Sequence, residues 1–502
     1  MMTATVSLEQ LSKENIQLRE EIGYLKEQLE WFRRQFFGQR SEKIISNLDE
    51  SQLEFEGLQC KEPAISEPKQ MVLGYEKRKP KRDGKDKITL PQDLPVERTV
   101  LDLSEEEKTC PETGLPLVKI GEEVTRKLAN KPGSYYIKEI VRLKYALPQN
   151  SMGGIRISPM PEGLLSRCQA DESLLADILV KKFADHLPLY RISEMLGRHQ
   201  IGISRQILCQ WVLRAGEALK PLYNEMVRQV LQSNNIFVDE TPIDMLDPGK
   251  GKTHQAYMWV IVGGKEANPA YRVYNFRTNR QHSNAIDLLK NFRGTLHSDK
   301  YGAYESLANS KQITWCPCWV HIRRKFLEES GDPKFRGWML RKIRYLFMLE
   351  KVAWARSPQE RLRIRQEKEA PIIDELINAV KDKLIHGNIL PKSKFREALG
   401  YFSSLIPYLK NYTLDPWARI DNNVAERAVR PLAIGRKNWL FVGTESGGIA
   451  SAVIYSLVQT CRAIGVNPRV YIEDVMRRLM SHNSQKLYEL LPNNWSKAQE
   501  AT

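Results

Sequence analysis

Three carboxylates define the chemistry open to this sequence. Asp239 closes the apolar run "NNIFVDET", Asp299 closes the run in "GTLHSDKYGAY", and Glu426 lies in "RIDNNVAERAVRPLAIGRKNWLFVG", residues 419 to 443. Asp at a strand end is more often a turn former or a cap than a ligand. A Glu four residues before an Arg on a helix, as with Glu426 and Arg430, is by itself more often half of a surface ion pair. Taken together the three carry more. Both Asp follow short strands of buried type, and if those strands are neighbours the carboxylates stand side by side. Clustered carboxylates repel and raise one another's pKa. A divalent cation removes that penalty, and hard oxygen donors select Mg2+ or Mn2+. Two such ions about 3.5–4 Å apart activate an attacking water or hydroxyl and stabilise the leaving oxygen. The expectation is phosphodiester cleavage with two Mg2+ (or Mn2+) held by Asp239, Asp299 and Glu426.

The residues around Glu426 suit a phosphate backbone. At helical spacing Asn423, Glu426, Arg427 and Arg430 share one face, and Asn422, Arg436 and Lys437 add donors and charge. Arg and Lys position DNA through phosphate contacts. Glu240, next to Asp239 on a strand, is expected to face the other way. Trp439 beside "LFVG" reads as core rather than as a base-stacking platform.

These side chains need a scaffold. Three strands ("NNIFVDET", "AYMWVIVGG", "AYRVYNF") precede a helix, a strand ending at Asp299, and a fifth strand "KQITWCPCW" that leads into the basic helix "VHIRRKFLEE". That succession is expected of a ribonuclease-H-like α/β domain, here over 233–327 and resumed over 416–485 with C-terminal helices and a tail at 486–502. Charged amphipathic stretches over 328–415 read as a helical insertion. Upstream, "LYRISEMLGRHQIGISRQILCQWVLRAGEAL" reads as helix, Gly-containing turn, Ser204 cap and second helix, within a helical region at 161–232. A helix-turn-helix sends its second helix into a major groove, which places Arg205 with Asn423, Arg427, Arg430, Arg436 and Lys437 as DNA-contacting residues. Helix pairs joined at Gly also occur in plain bundles. The class expected is multidomain α+β.

The first part of the chain carries a heptad. Leu8, Asn15, Ile22, Leu29 and Phe36 fall at a, and Leu11, Leu18, Leu25 and Phe32 at d. This predicts a coiled coil within 1–48 and a homodimer, with Asn15 fixing register; Gly23 weakens the helix. Residues 49–95 read as a linker whose "KRKPKRDGKDK" holds seven Lys or Arg against two Asp. Residues 96–160 read as a small β-rich module resembling a degenerate zinc finger. Its "CPETG" has one Cys where a knuckle needs two, and Cys316, Cys318 and His321 offer three donors without a fourth, so no zinc is expected. The 502 residues carry a net charge of +15, which favours a polyanionic partner. Seven scattered Cys fit a reducing compartment. There is no apolar signal core and no run of membrane-spanning length, so a cytoplasmic, nucleoid-associated protein with no membrane partner is expected.

The chain resembles transposases of the insertion sequence sixty-six family. The resemblance rests on "FFGQRSEK" (36 to 43), "CPETGLPLVKIGEEV" (110 to 124), "DHLPLYRISEMLGRHQIGIS" (185 to 204), "VDETP" (238 to 242), "SDKYGAY" (298 to 304), "CWVHIRRKF" (318 to 326), "DNNVAERAVRPLAIGRKNWLFVG" and "VIYSLVQTCRAIGVNP" (453 to 468), in family order. It implies a DDE triad on Asp239, Asp299 and Glu426 in a ribonuclease-H-like domain. It also implies metal-dependent cleavage at transposon ends with strand transfer into target DNA, and accessory element-encoded proteins. The module at 110–124 lacks the paired Cys of relatives. A nuclease without joining activity and a catalytically silent DNA-binding regulator are the alternatives; an intact triad argues against the second.

Overall fold

The computed structural model describes residues 94–496 apart from 106, 110–115, 132, 147–154, 162, 166–167, 248, 266–267, 311, 329–330 and 388. The heptad, the basic segment at 77–87 and "CPETG" lie outside the described residues. Within them the chain is a mixed α+β structure with two mixed sheets. No described helix is long and apolar enough to cross a membrane.

The first sheet holds β1 (Val96–Leu101), β2 (Val118–Lys131), β3 (Ser134–Ala146) and β4 (Arg156–Ile157), with β3 between β1 and β2. The β2–β3 hairpin turns at Gly133, whose φ of 85° suits Gly and few other residues. The sheet continues into α1 (Glu172–Phe183) through Asp171. This buried carboxylate caps the helix by accepting from the Ser173 amide, and it also accepts from Lys138 and Arg477. Those cations hold its pKa below the usual carboxylate value despite burial.

Next come α2 (Leu189–Arg198) and α3 (Arg205–Ala218). Ser204 caps α3, its hydroxyl accepting from the Ile207 amide at 3.3 Å, as the sequence predicts. The left-handed residue of the turn is Gln200 (φ 59°), not a glycine. Ile207, Leu208, Trp211, Val212, Ala215 and Gly216 form the buried face of α3. The fourth helix, α4 (Lys220–Leu231), leads into the second sheet.

That sheet runs in the order β7-β6-β5-β8-β9. It comprises β5 (Asn235–Asp247), β6 (Lys252–Lys265), β7 (Asn268–Arg277), β8 (Gly294–Ser298) and β9 (Ile313–Pro317). β5, β6 and β7 are antiparallel, while β8 and β9 run parallel to β5. Two short helices, α5 (His282–Leu289) and α6 (Gly302–Asn309), follow β7 and β8. Met258 to Val262 on β6 are all fully buried, so both sheet faces are covered and the run is continuously apolar rather than alternating.

After β9 comes α7 (Trp319–Glu328), and then a run of helices over the stretch read from sequence as an insertion. Its helices are α8 (Pro333–Trp354), α9 (Pro358–Ile364), α10 (Ala370–His386) and α11 (Lys394–Leu405). A π turn, Arg365–Glu369, joins α9 to α10 and aims Arg365 inward. Arg365 is wholly buried; it pairs with Glu350 and donates to the carbonyls of Tyr412, Asp415 and Ala418. This fixes the exit of the insertion, which continues as α12 (Asn423–Trp439), β10 (Phe441–Val442, parallel to β5), α13 (Glu445–Ala463) and α14 (Pro468–Arg478). On α13, Ser456 and Thr460 accept from the Tyr274 and Arg272 amides, so the edge strand β7 is capped by helix side chains.

Candidate active site

Asp299 follows the last residue of β8, as expected. Asp239 does not end its strand: β5 continues to Asp247, and Asp239 pairs with Val260 of β6. The reason is the long β5–β6 hairpin, which carries the polar half of β5 beyond the core. What ends near Asp239 is the pairing with β8, whose last partners are Phe237 and His297. Asp239 therefore sits where β5 parts from its parallel neighbour, with Asp299 at that neighbour's tip.

Glu426 lies in the first turn of α12. Its position depends on the loop before the helix. The Trp319 amide donates to the Ile420 carbonyl at 3.1 Å, and the Asn422 amide donates to Cys318 Sγ at 3.3 Å. The Asn422 side chain donates to the Val238 carbonyl at 2.8 Å, one residue before Asp239. Three bonds thus tie the start of α12 to β5 and to the start of α7.

The carboxylates feel one another. Burial first, then the charges of Asp299, Glu240 and Glu426, push Asp239 up to about 8. Burial also raises Asp299, against the pull of Arg280. Asp299 Oδ1 and Glu426 Oε1 are buried with no hydrogen-bond partner. Hard oxygen donors without partners, crowded until one carboxyl is largely protonated near neutrality, are a donor set that a divalent cation fits. Glu426 does not pair with Arg430. The His321 imidazole stands beside Glu426, with Nδ1 3.9 Å from Oε1. The ligand atoms of Cys318, His321 and Glu426 all lie within 4.8 Å of one another. Asp239 is coupled to Glu426 by charge, but it and Asp299 stand outside that tighter group.

The basic residues divide into two sets. Arg427, Arg430, Lys437 and Arg205 are exposed. Arg436 needs correction: its guanidinium donates to Thr241 Oγ1 at 2.8 Å and to the Pro242 carbonyl at 2.7 Å, clamping α12 to β5. Asn422 is likewise committed to the fold and almost wholly buried. Asn423 bonds Asp421 through both its amide and its side chain, fastening the start of the helix. Trp439 is half-buried, as the core reading expects.

Sequence reasoning missed Arg280. It follows β7, donates to Glu240 through Nε at 3.0 Å and through a second nitrogen, and stacks over Tyr301 with its centre 4.6 Å from the ring. Tyr304 also donates to Glu240, at 3.1 Å. Glu240 is thereby held by partners of its own, yet its charge still reaches Asp239. An Arg in the polar turn "RTNRQHS" carries no signal of this role.

The sequence profile described as Transposase IS66 family matches residues 167–450. The profile of the IS66 C-terminal element matches 456–493, and that of Transposase C of IS166 homeodomain matches 24–99. Uncharacterized protein y4qI of Sinorhizobium fredii is 30% identical over 492 residues, which is 95% of this chain and 89% of that protein. Uncharacterized protein y4jD of the same organism is 29% identical over 505 residues, 97% of this chain and 96% of that protein. The chain belongs to the IS66 family of transposases.

Proposed function

We propose that the protein is a DDE-type DNA transposase that cuts at transposon ends and joins the freed strands to target DNA. The observation that carries this reading is a buried Asp239 that feels the charges of Asp299 and Glu426: burial first, then Asp299, Glu240 and Glu426, push it up to about 8. A strand order of β7-β6-β5-β8-β9, with three antiparallel strands followed by two parallel ones, supports a ribonuclease-H-like catalytic domain. Asp239, Asp299 and Glu426 would hold Mg2+ or Mn2+, whose chemistry when bound is to neutralise charge on the attacking and leaving oxygens.

The chain's own residues do the rest. Exposed Arg427, Arg430 and Lys437 on α12 grip the phosphate backbone beside Glu426. Arg280 and Tyr304 hold Glu240 away from the ligand set. Arg436 and Asn422 fix α12 against β5, so that Glu426 keeps its height above the Asp pair. In the first step water attacks phosphorus and the bond to the 3′-oxygen breaks, leaving a 3′-hydroxyl. In the second that hydroxyl attacks a target phosphodiester and displaces its 3′-oxygen. Phosphodiester bonds are conserved in the joining step, so no nucleotide cofactor is consumed.

The exposed start of α3, with Arg205, Gln206 and Gln210, is the element we assign to groove contact. The homeodomain named in the match over 24–99 supports further DNA contact there. We place a homodimer contact in the heptad at 8–36, and element-encoded accessory proteins as further partners. A duplex carrying the element's end, incubated with target DNA and Mg2+, tests the reading. Nicked ends and joined products are expected; nicking without joining would leave a nuclease, and neither product would overturn the proposal.

A further inference from the structure

We infer that Cys318, His321 and Glu426 form a binding site for a borderline-soft divalent cation, Zn2+ above all, and that zinc bound there withdraws Glu426 from the Asp239–Asp299 pair and stops DNA cleavage. The withdrawal rests on the function proposed above; the binding site does not.

The site is built from three separate elements of sequence logic. Cys318 lies between β9 and α7; His321 stands three residues later, in the first turn of that helix; and Glu426 comes from the first turn of α12. One thiol, one imidazole and one carboxylate, with ligand atoms within 4.8 Å of one another, are three donors of the types zinc takes. In a tetrahedral site with bonds of about 2.0–2.3 Å, ligand atoms stand roughly 3.3–3.8 Å apart. The 3.9 Å between His321 Nδ1 and Glu426 Oε1 is close to that spacing and too long for a hydrogen bond. Glu426 Oε1 is buried with no hydrogen-bond partner.

The Asn422 amide donates to Cys318 Sγ at 3.3 Å, and the His321 amide faces it too. Burial pushes the free thiol up to about 12 and the two amides act against that rise, so the thiolate forms as a cation displaces its proton. Cys316 takes no part: it is buried on β9, in register with His297. Three protein donors leave a fourth position for water. Mixed S, N and O donors select zinc over Mg2+, whereas the Asp pair offers oxygen alone. Glu426 is common to both sets, so an ion that engages it through sulfur and nitrogen neighbours competes with one that engages it through the Asp pair.

Co2+ is the probe, because a thiolate ligand gives it a near-ultraviolet charge-transfer band. The full chain titrated with Co2+ should develop that band with one equivalent, and Zn2+ should abolish it. The band should be lost in Cys318→Ser, which keeps a capping oxygen at the start of α7, and weakened in His321→Gln and Glu426→Gln. It should persist in Asp239→Asn. Added Zn2+ should reduce Mg2+-supported cleavage at least tenfold. Cys318→Ser, compared with its own rate without zinc, should lose that sensitivity. A band that survives Cys318→Ser, or no band at all, overturns the site whatever the cleavage assay shows. A band without inhibition of a cleaving enzyme overturns the withdrawal of Glu426. A band in a protein that never cleaves DNA leaves the site standing and removes the proposed function.

Discussion

At the residue scale the separate roles of Glu426, Arg430 and Arg436 can be read apart. Glu426→Gln keeps size and helix propensity but removes the charge that would hold a cation. Cleavage of end DNA should fall by orders of magnitude while binding persists, as measured by nicking and gel shift on one duplex. Normal cutting by this variant would remove the triad. Arg430→Ala should weaken binding and flatten the logarithmic salt dependence by about 0.9, one phosphate contact. Arg436→Ala should behave differently, because its guanidinium serves Thr241 and Pro242. It should lower unfolding stability by about 1–3 kcal/mol, seen in denaturant melts, and leave the salt slope alone. The crowded acids give a further outcome. Without metal, Asp239→Asn should melt higher than the native chain, since one repelling, desolvated carboxylate is gone. Adding Mg2+ should then raise the native Tm more than that of the variant. The place of Asp299 was legible because it follows an apolar strand, whereas that of Asp239 was not, because β5 runs on past it to Asp247. Which Arg is spent on the fold was not legible, because helical spacing gives the face of a residue and not its partner. Arg280 was invisible for the same reason, and of the Cys318–His321–Glu426 grouping the sequence offered Cys318 and His321 but not Glu426, which comes from a segment far away in the chain.

At the element scale, close packing decides what the contact between α3 and α13 can tolerate. A Cβ on Gly216 would stand 2.6 Å from the Ala450 Cβ of α13 and 2.7 Å from its Cα. Gly216→Ala must push the two helices apart, at a cost of about 1–3 kcal/mol. Melting should detect that loss, with Gly197→Ala, where nothing lies within 4 Å, as the silent control. The insertion has its own sensitivity. Glu369 follows Arg365 on the π turn and accepts from the Tyr412 hydroxyl at 2.8 Å. Burial first, then the charge of Glu350, raises it to about 8. A raised acid contributes stability that is fully present below its unfolded value near 4.5 and is lost as pH rises through about 8. Glu369→Gln should therefore flatten the fall in melting temperature between pH 5 and 9. A variant with the native pH profile would show that Glu369 is ionised in the folded chain. The strands and helices themselves followed from pattern: the unbroken apolar run of β6, the Ser204 cap and the amphipathic insertion all announced their type. The length of β5 did not, because its second half is polar and is held by hairpin partners rather than by its own periodicity.

At the scale of the whole molecule, charge and symmetry meet. A chain with a net charge of +15 binds polyanions at many places, so its specificity has to come from geometry rather than from attraction alone. An end-cutting enzyme that joins two ends gains that geometry from a second copy, because two linked modules bind paired sites far more tightly than either alone. The unbroken heptad at 8–36 is the segment of this sequence best fitted to supply the copy. Its a and d positions give Leu or another apolar residue at every place but one, and that one, Asn15, favours a two-stranded register. Replacing Leu18 and Leu25 with Lys puts charges into the seam, where burial without a partner is costly. Light scattering at micromolar concentration should then give a monomer mass. Cleavage of a single end should survive, and joining of paired ends should fall together with the loss of cooperative binding. An unchanged mass would move the dimer contact elsewhere in the chain. A monomer that still joins paired ends normally would show that pairing is imposed by the DNA, through the exposed basic face of α12, and not by the protein.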